Sequence, residues 1–253
     1  VVIVVRIDEE ETAPATLANV IGGVDANTGT YEGVHAFLAS ENITGFVPKI
    51  LIAPGFTHTR TEAVGETPAT SNPVVAELIG IAERLKAVIV ADGPNTNDAD
   101  AIAYSEDFGS KRVFLVDPKV LKSVDGETSQ EWASACVAGL IAKSDNDRGW
   151  WWSPSNQEIN GIVGTARAID FAMGDANCRA NLLNEKNITT IIRQQGYRLW
   201  GNRTLSSDSK WAFLCVVRTA DMIDESLKAA HLWAVDRGIT KTYVDDVIEG
   251  VNA

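Results

Sequence analysis

Residues 87–116, AVIVADGPNTNDADAIAYSEDFGSKRVFLV, decide the fold that this sequence predicts. Ala87–Ala91 is an apolar run of strand length, and in Arg112–Val116 four apolar residues follow Arg112. Such runs are typical of strands buried on both faces. Between them a polar loop, Asp92–Asp98, leads into a predicted helix at Ala99–Asp107. A strand, a helix and a strand joined by short links favour a right-handed unit with parallel strands.

The segments before and after this unit continue the alternation. Lys49–Ala53, KILIA, predicts another buried strand, and a polar loop follows at 57–70. A helix is predicted from Asn72, because Pro73 is favoured at a first helical position. The other predicted elements are a buried strand at Val1–Ile7, a short helix at Tyr31–Ser40 and a helix at Ser129–Ser144 with Trp132 facing inward. Residues 1–180 therefore predict a three-layer α/β domain with a mainly parallel sheet.

Residues 181–253 differ in pattern and predict a smaller C-terminal α+β domain. Leu182–Thr204, LLNEKNITTIIRQQGYRLWGNRT, turns at Gly196 and closes with an apolar, aromatic segment, Tyr197–Thr204. We predict that this segment pairs with Trp211–Arg218 as an antiparallel hairpin around the turn Ser206–Lys210. Two helices complete the prediction, Ala220–Arg237, which Gly238 ends, and Thr240–Gly250.

The composition excludes several classes of partner. The chain has 253 residues, a hydrophobic content of 45% and a net charge of −12. The excess of acidic residues lies in residues 1–180, since residues 181–253 hold equal numbers of basic and acidic side chains. An acidic chain disfavours nucleic acid and anionic membranes as partners. Val1–Ile7 is too short to span a bilayer and lacks a basic leader, so we expect no membrane anchor.

The sequence offers no recognisable metal or redox site. Cys136, Cys178 and Cys215 lie far apart and form no CxxC pair, so we interpret them as small buried hydrophobes in a reducing compartment. The loop Asp92–Asp98 superficially suggests a calcium site, but it lacks the glycine at the sixth position and the glutamate at the twelfth. We interpret its polar residues as turn and cap formers.

Catalytic motifs are also absent. His35, His58 and His231 are the only histidines, and none of them belongs to an HExxH motif. The sequence contains neither a GxSxG elbow nor a GxxxxGK[ST] phosphate loop, and Gly161–Gly164 is interpreted as a turn. We therefore predict that the chain has no catalytic, cofactor-binding or metal-binding residues, needs no cofactor and is not an enzyme.

Trp150, Trp151 and Trp152 form an unusual run. Three consecutive side chains cannot all face one core, because neighbours in an extended chain point to opposite sides. Two interpretations remain open, a cluster at a domain junction within one subunit and a contact between subunits, where tryptophan is favoured. A carbohydrate-binding platform is a third.

Several ordered segments resemble one known family. They are residues 91–118, Arg148–Gly149–Trp150, Ser153–Pro154–Ser155–Asn156, Leu183–Ile188, Gly196–Thr204 and Val217–Ser226. Together they resemble the tail sheath proteins of contractile phage tails and of related pyocin-like particles. The resemblance extends from about residue 48 onward, and the second half of the chain carries its more specific part.

The resemblance implies a subtilisin-like topology for the α/β domain without protease activity. The Asp, His and Ser signatures of that protease are missing, and Gly164–Thr165 is followed by Ala166 where a nucleophilic serine would be needed. A shared fold does not bring a shared activity with it.

The resemblance also implies a structural role in a virion tail assembled in the host cytoplasm. Sheath subunits surround a tail tube as helically stacked hexameric rings, and terminal arms add strands to the sheets of neighbouring subunits. Contraction drives the tube through the host envelope for genome ejection. The expected partners are copies of this chain, the tail tube protein, the baseplate and the tail terminator.

Family members carry further segments on both sides of this region. We therefore expect this chain to be a core fragment that lacks both terminal arms and is monomeric or weakly oligomeric in isolation. Two other functions remain as alternatives, an α/β hydrolase-like enzyme and a carbohydrate-binding module that uses Trp150–Trp152.

Overall fold

The computed structural model describes residues 1–61 and 70–252. The predicted polar loop at 57–70 therefore lies mostly outside the described residues. The helices are α1 (Ala13–Ile21), α2 (Ser40–Thr44), α3 (Pro73–Leu85), α4 (Asp98–Ser105), α5 (Ala133–Arg148), α6 (Arg179–Glu185), α7 (Leu214–Ala230) and α8 (Lys241–Asn252), with short 3₁₀-helices at Gly33–Ala39, Ser209–Trp211 and Leu232–Ala234. None of the helices in these two ranges is both long enough and apolar enough to cross a membrane.

The strands are β1 (Gly23–Val24), β2 (Tyr31–Glu32), β3 (Ile50–Leu51), β4 (Val88–Asp92), β5 (Val113–Val116), β6 (Val120–Val124), β7 (Glu127–Glu131), β8 (Gly164–Thr165), β9 (Ile188–Arg193) and β10 (Tyr197–Trp200). The central sheet has five strands in the order β10-β9-β5-β4-β3. Adjacent strands within this sheet are parallel, except that β10 runs antiparallel to β9. The prediction of an α/β fold with a mainly parallel sheet is confirmed.

Helices cover the central sheet on both faces. On one face Ile89 and Leu115 pack into a core cluster that includes Leu78 of α3. On the other face Phe114 packs into a second cluster with Val137 of α5 and with residues of α7. Because both faces are covered, β5 is apolar at every position and β4 is apolar at every position but its last, Asp92, as is expected for parallel strands between helical layers.

The predicted start of the helix after β3 is confirmed in detail. The side-chain oxygen of Asn72 accepts a hydrogen bond of 2.9 Å from the backbone N–H of Val75. Pro73 occupies the first helical position, where its missing N–H has no intrahelical acceptor to lose. In the same way, the side chain of Asn97 caps α4 by accepting a bond of 2.9 Å from the N–H of Asp100.

Of the hairpin predicted between Tyr197–Thr204 and Trp211–Arg218, only one antiparallel bridge forms, between Arg203 and Phe213, and the two predicted strands are wrong. The partner of β10 is β9, and the backbone turns at Gly196, whose φ is +104°. Residues 209–211 form a 3₁₀-helix, and α7 begins at Leu214. The error arose because this segment is apolar at almost every position, which fits a strand and a helix equally well. The buried residues of α7, Leu214, Val217 and Asp221, follow the helical period.

Other predicted helix boundaries also shift, including the helix predicted at Tyr31–Ser40, where the structure has β2 and a 3₁₀-helix at Gly33–Ala39. The helix predicted from Ser129 begins at Ala133, because Glu127–Glu131 instead pairs with β6 as a hairpin. Asp125–Gly126 forms its turn with φ values of 52° and 87°, and this dipeptide is a hairpin signal that the sequence reading missed. Trp132 accordingly precedes the helix. The predicted helix Ala220–Arg237 is replaced by α7 and the 3₁₀-helix at Leu232–Ala234.

The central sheet continues across the predicted domain boundary at residues 180 and 181. Val116 of β5 pairs with Thr189 of β9, so residues after the boundary extend the same sheet. The division into residues 1–180 and 181–253 stays a prediction, but the central sheet contains strands from both sides of that boundary.

Candidate functional site

The two edges of the central sheet differ. The β10 edge is covered by residues 156–159, since the N–H of Asn156 donates to the carbonyl of Leu199 at 2.7 Å and the N–H of Ile159 donates to Tyr197 at 2.8 Å. Beyond β3, by contrast, no strand of the described chain is hydrogen-bonded to the sheet. The β3 edge is therefore the open edge of the sheet.

The backbone of β3 presents unpaired groups at this open edge. The carbonyl of Lys49 accepts a bond of 3.0 Å from the N–H of Val88, so the Lys49 carbonyl faces β4. Backbone groups of successive strand residues point alternately to the two sides, and the N–H and C=O of Ile50 therefore point away from β4. Such an edge is a template for an added strand.

An apolar trough of about 880 Å³ runs along this edge. On the α5 side it is lined by small residues, including Ala138, Gly139 and Ala142, and on the opposite side it is lined by Val34 and Phe37. Val1–Val5 and Ile7 form its outer wall. The trough thus joins unpaired backbone groups to a largely apolar surface, which suits an extended apolar strand.

The prediction that Val1–Ile7 is a buried strand is wrong for this chain. The segment forms no strand, and Val1, Val2 and Val4 are 91%, 87% and 81% exposed. Ile3, Val5 and Ile7 are half-buried, so only alternate side chains face the protein. VVIVV is apolar on both faces, a pattern typical of a strand that is covered on both sides, and in this structure the second side faces solvent.

The three histidines have separate surroundings. His35 lies 3.0 Å from the carboxylate of Glu77, and the ring nitrogen Nδ1 of His231 lies 2.7 Å from the carbonyl of Leu227. The ring of His58 lies 3.9 Å from that of Trp132, and burial together with the charge of Lys119 lowers the pKa of His58. No group of three or more His, Cys, Asp or Glu side chains in residues 1–61 and 70–252 is placed to hold a metal ion.

The polar residues at the carboxyl end of β4 serve as structural anchors. Asp92 is buried, and its carboxylate accepts bonds from the N–H of Ser134 at 2.8 Å and from its hydroxyl at 2.6 Å. Asp92 thereby fixes the first turn of α5 against the sheet. Burial raises the pKa of Asp92 to about 6 even though these hydrogen bonds act in the opposite direction.

We expect Asp92→Asn to change how stability depends on pH. The folded state raises the pKa of Asp92, so the contribution of this group is fully present below its ordinary value of 3.8 and is lost as the pH rises through about 6. As the pH rises from about 4 to about 7, the free energy of unfolding of the wild type should therefore fall by about 2–3 kcal/mol relative to that of Asp92→Asn. Urea unfolding of both proteins across this range measures the difference.

Asp25→Asn provides a control of opposite sign. Backbone N–H groups of Thr28 and Asn27 lower the pKa of this exposed carboxylate. The contribution of Asp25 to stability is therefore lost as the pH falls. The wild type should accordingly gain stability relative to Asp25→Asn as the pH rises, which is the opposite of the Asp92 result. Parallel stability curves for wild type and Asp92→Asn would contradict the assignment.

A second polar cluster, which the sequence reading missed, lies beside the same end of the sheet. Arg167 bridges Asp117 and Asp98, with a distance of 2.6 Å to Asp98, and Arg179 binds the other oxygen of Asp98 at 2.8 Å. Carboxyl ends of parallel strands are common ligand sites in α/β proteins. Here both carboxylates are bound by arginines of the same chain, which favours a role in holding the loop at residues 165–179 to the sheet.

The tryptophan run, the cysteines and Gly161–Gly164 are the remaining residues singled out in the sequence. Trp151 and Trp152 are 54% and 50% exposed, and the rings of Trp150 and Trp151 meet edge to face at 4.8 Å, so the three tryptophans do not share one core. Of the cysteines, Cys178 is buried, whereas Cys136 and Cys215 are half-buried. In Gly161–Gly164, Gly161 has a φ of +80° in a turn and Gly164 begins β8.

Comparison with known proteins gives consistent matches. Residues 29–205 match the family model described as the phage tail sheath protein central domain. The chain is 50% identical over 255 residues to a putative prophage major tail sheath protein of Pseudomonas aeruginosa strain UCBPP-PA14, which covers 100% of this chain and 63% of that protein. It is 36% identical over 251 residues to the tail sheath protein of Escherichia phage P2, which covers 97% of this chain and 60% of that protein.

A solved structure shares the fold. The helical sheath of the anti-feeding prophage in its contracted state matches with a TM-score of 0.61 at 20% identity, over 97% of this chain and 66% of that one. The chain spans 63% and 60% of the two curated relatives. The resemblance inferred from the sequence is confirmed, and this chain belongs to the phage tail sheath protein family.

Proposed function

We propose that this chain is a structural subunit of a contractile tail sheath. It polymerises with copies of itself into helically stacked hexameric rings around a tail tube. Contraction then drives the tube through the host envelope. The observation that carries the proposal is the open β3 edge with its apolar trough, found in a chain of the sheath family.

The chemistry of this edge supports assembly rather than catalysis. Unpaired backbone groups of Ile50 beside an apolar trough suit an extended segment of another subunit, which would complete the sheet by strand addition. In such a contact the β3 edge of one copy binds a strand from a different part of the next copy, so the two contacting surfaces differ. Contacts of that kind generate rings or helical filaments.

The finer features of the role belong to the same proposal. The subunit is a virion tail component assembled in the host cytoplasm, and it contacts the tail tube protein, the baseplate and the tail terminator. Contraction changes the packing of nearly rigid subunits between two arrangements, and no nucleotide or cofactor takes part. We also propose a subtilisin-like topology without protease activity and a smaller C-terminal domain over residues 181–253.

Electron microscopy of the complete protein, expressed together with a tail tube protein, tests this function. We expect sleeves around the tube, and particles without any sleeve would overturn the proposal. Hydrolysis assays and labelling with serine-directed probes address the hydrolase-like alternative, for which we expect no turnover.

Ile50→Pro tests the open edge directly. Proline removes the N–H that points away from β4 but leaves the ladder to β4 intact, and proline is tolerated on edge strands. We expect at least tenfold fewer sleeves on micrographs with an unchanged circular dichroism spectrum. Ile50→Val, which keeps the N–H, is the matched control, and normal sleeves from the proline variant would show that the β3 edge is not used.

A further inference from the structure

Three basic side chains lie at the amino ends of three neighbouring strands of the central sheet. Lys49 immediately precedes β3, Lys86 lies just before β4, and Arg112 immediately precedes β5. Because β3, β4 and β5 are parallel and adjacent, their amino ends meet at one end of the sheet. The three side chains therefore form a basic row across that end.

One face of α7 carries a carboxylate for each member of this basic row. The ion pairs are Asp221–Arg112, Asp224–Lys86 and Glu225–Lys49. In the middle pair, the ammonium of Lys86 lies 3.3 Å from the carboxylate of Asp224. The three carboxylates follow the i, i+3, i+4 spacing, which places them on one side of a helix. The acidic face of α7 thus lies along the amino ends of the strands.

Apolar burial of α7 ends before the last two of these pairs. Leu214 and Val217 belong to the second core cluster, and no described residue after Val217 belongs to a core cluster. Asp221 is buried, but none of residues 222–252 is. We call residues 222–252, which include the end of α7 and all of α8, the arm.

Apolar packing beside the arm is incomplete. Trp150 and Trp151 line a cavity of about 510 Å³ together with the end of α7. Met222, Ile223 and Leu227 face this cavity, and none of them is buried. The ion pairs of the acidic face therefore carry much of the attachment of the arm to the sheet.

The three pairs differ in exposure. Arg112 is buried, whereas both members of the Lys49–Glu225 and Lys86–Asp224 pairs are partly exposed. Attraction between partly exposed charges weakens as the ionic strength rises, and the screening length falls to about 3 Å at about 1 M salt. Without these two pairs, the end of α7 is a short helical segment with no buried side chain, and such a segment is marginal in water.

We propose that the Lys49–Glu225 and Lys86–Asp224 pairs form a salt-sensitive latch that holds the arm against the sheet, and that the arm detaches when the latch opens. The buried pair of Asp221 stays closed and is the pivot. The core clusters keep their packing in both states. The latch belongs to a single subunit and does not depend on the proposed sheath function. In a sheath it would let the arm take a different position in each of two packings.

Amide hydrogen exchange of the whole chain, followed by mass spectrometry, tests the latch. When the salt concentration rises from about 0.1 M to about 1 M, we expect exchange of residues 222–230 to accelerate at least about threefold, because the latch pairs are screened. Exchange of β4 and β5 should stay unchanged, since local opening leaves the core closed. No acceleration in residues 222–230, or an equal acceleration in the two strands, would overturn the latch.

A charge swap tests the outer pair. Lys49→Glu places a carboxylate opposite Glu225, so we expect exchange of residues 222–230 to accelerate about tenfold, and Glu225→Lys should act alike. The double variant Lys49→Glu/Glu225→Lys should return to within about threefold of the wild type, because the charges attract again. The matched control is Lys143→Glu, since the partner of that exposed lysine lies on its own helix, and it should leave residues 222–230 unchanged. A double variant that exchanges as fast as the single variants would contradict the latch.

Lys86→Gly separates the latch from the stability of the core. Lys86 ends α3 with a φ of +51°, a left-handed conformation that glycine adopts more readily than lysine. We therefore expect the urea midpoint to stay the same or rise, while exchange of residues 222–230 accelerates about threefold. Lys86→Arg keeps the charge and should exchange like the wild type. Wild-type exchange in the glycine variant would overturn the latch. None of these measurements involves sleeve assembly, so a negative result leaves the proposed sheath function standing.

Discussion

Replacing Arg112 by leucine will lower the free energy of unfolding by about 3–5 kcal/mol. The Arg112 side chain is fully buried, with 0% exposure. Its guanidinium binds both carboxylate oxygens of Asp221, with Nη2 at 3.0 Å from Oδ1, and Nη2 also lies 3.0 Å from the carboxylate of Glu83. Removing the arginine leaves the carboxylate of Asp221 in a largely buried position without its partner, and an uncompensated buried charge is strongly destabilising.

The double variant Arg112→Leu/Asp221→Leu separates the ion pair from the packing. Replacing both members of a buried pair by apolar residues is often close to neutral, so we expect the double variant to recover most of the loss. Urea unfolding of the four proteins gives the coupling energy as a double-mutant cycle. A single variant as stable as the wild type, with no coupling to Asp221, would contradict this role for Arg112.

Phe114→Ala will have a loss of similar size, about 3–5 kcal/mol, for a different reason. Phe114 is 0% exposed in the middle of the central sheet, where it packs in the cluster formed with α5 and α7. Truncation there removes a buried ring and leaves a cavity that close-packed neighbours fill only in part. Thermal or urea unfolding measures the loss.

Phe46→Ala is the matched control for this truncation. Phe46 is 52% exposed and lines the trough rather than a core cluster. We expect its loss to be about 0.5 kcal/mol or less, as for other exposed positions. Equal losses at Phe46 and Phe114 would show that the second core cluster does not carry the stability attributed to it.

The sequence predicted the central strands well because burial on both faces leaves a signal in consecutive residues. Ala87–Ala91 and the four residues after Arg112 are apolar without alternation, and β4 and β5, which lie side by side, cover nearly the same residues. The helix start at Asn72 was similarly readable, since a cap acts on residues only three positions away.

Interactions between distant residues left no comparable signal. The Arg112–Asp221 pair joins positions 109 residues apart, and nothing in the sequence near either residue indicates the other. The same holds for Arg167 and Arg179, which reach Asp98 from 69 and 81 residues away. The candidate site was missed for a related reason, because the open edge depends on the sheet order and not on the residues of β3 alone.

Two errors show how an apolar run can mislead. Trp211–Arg218 satisfies the period of a strand and that of a helix, and in the structure it is helical from Leu214 onward. Val1–Ile7 has the composition of a buried strand, but burial depends on neighbours, and within this chain only one of its two faces has them.

The outer wall formed by Val1–Val5 and Ile7 limits what can reach the open edge of the sheet. An exposed sheet edge ordinarily invites stacking of whole sheets, which leads to aggregation. Here Val1–Val5 and Ile7 lie along the trough beside β3, so residues of the same chain shield part of the edge. Partial shielding of this kind shortens the length of edge with which a second sheet could pair.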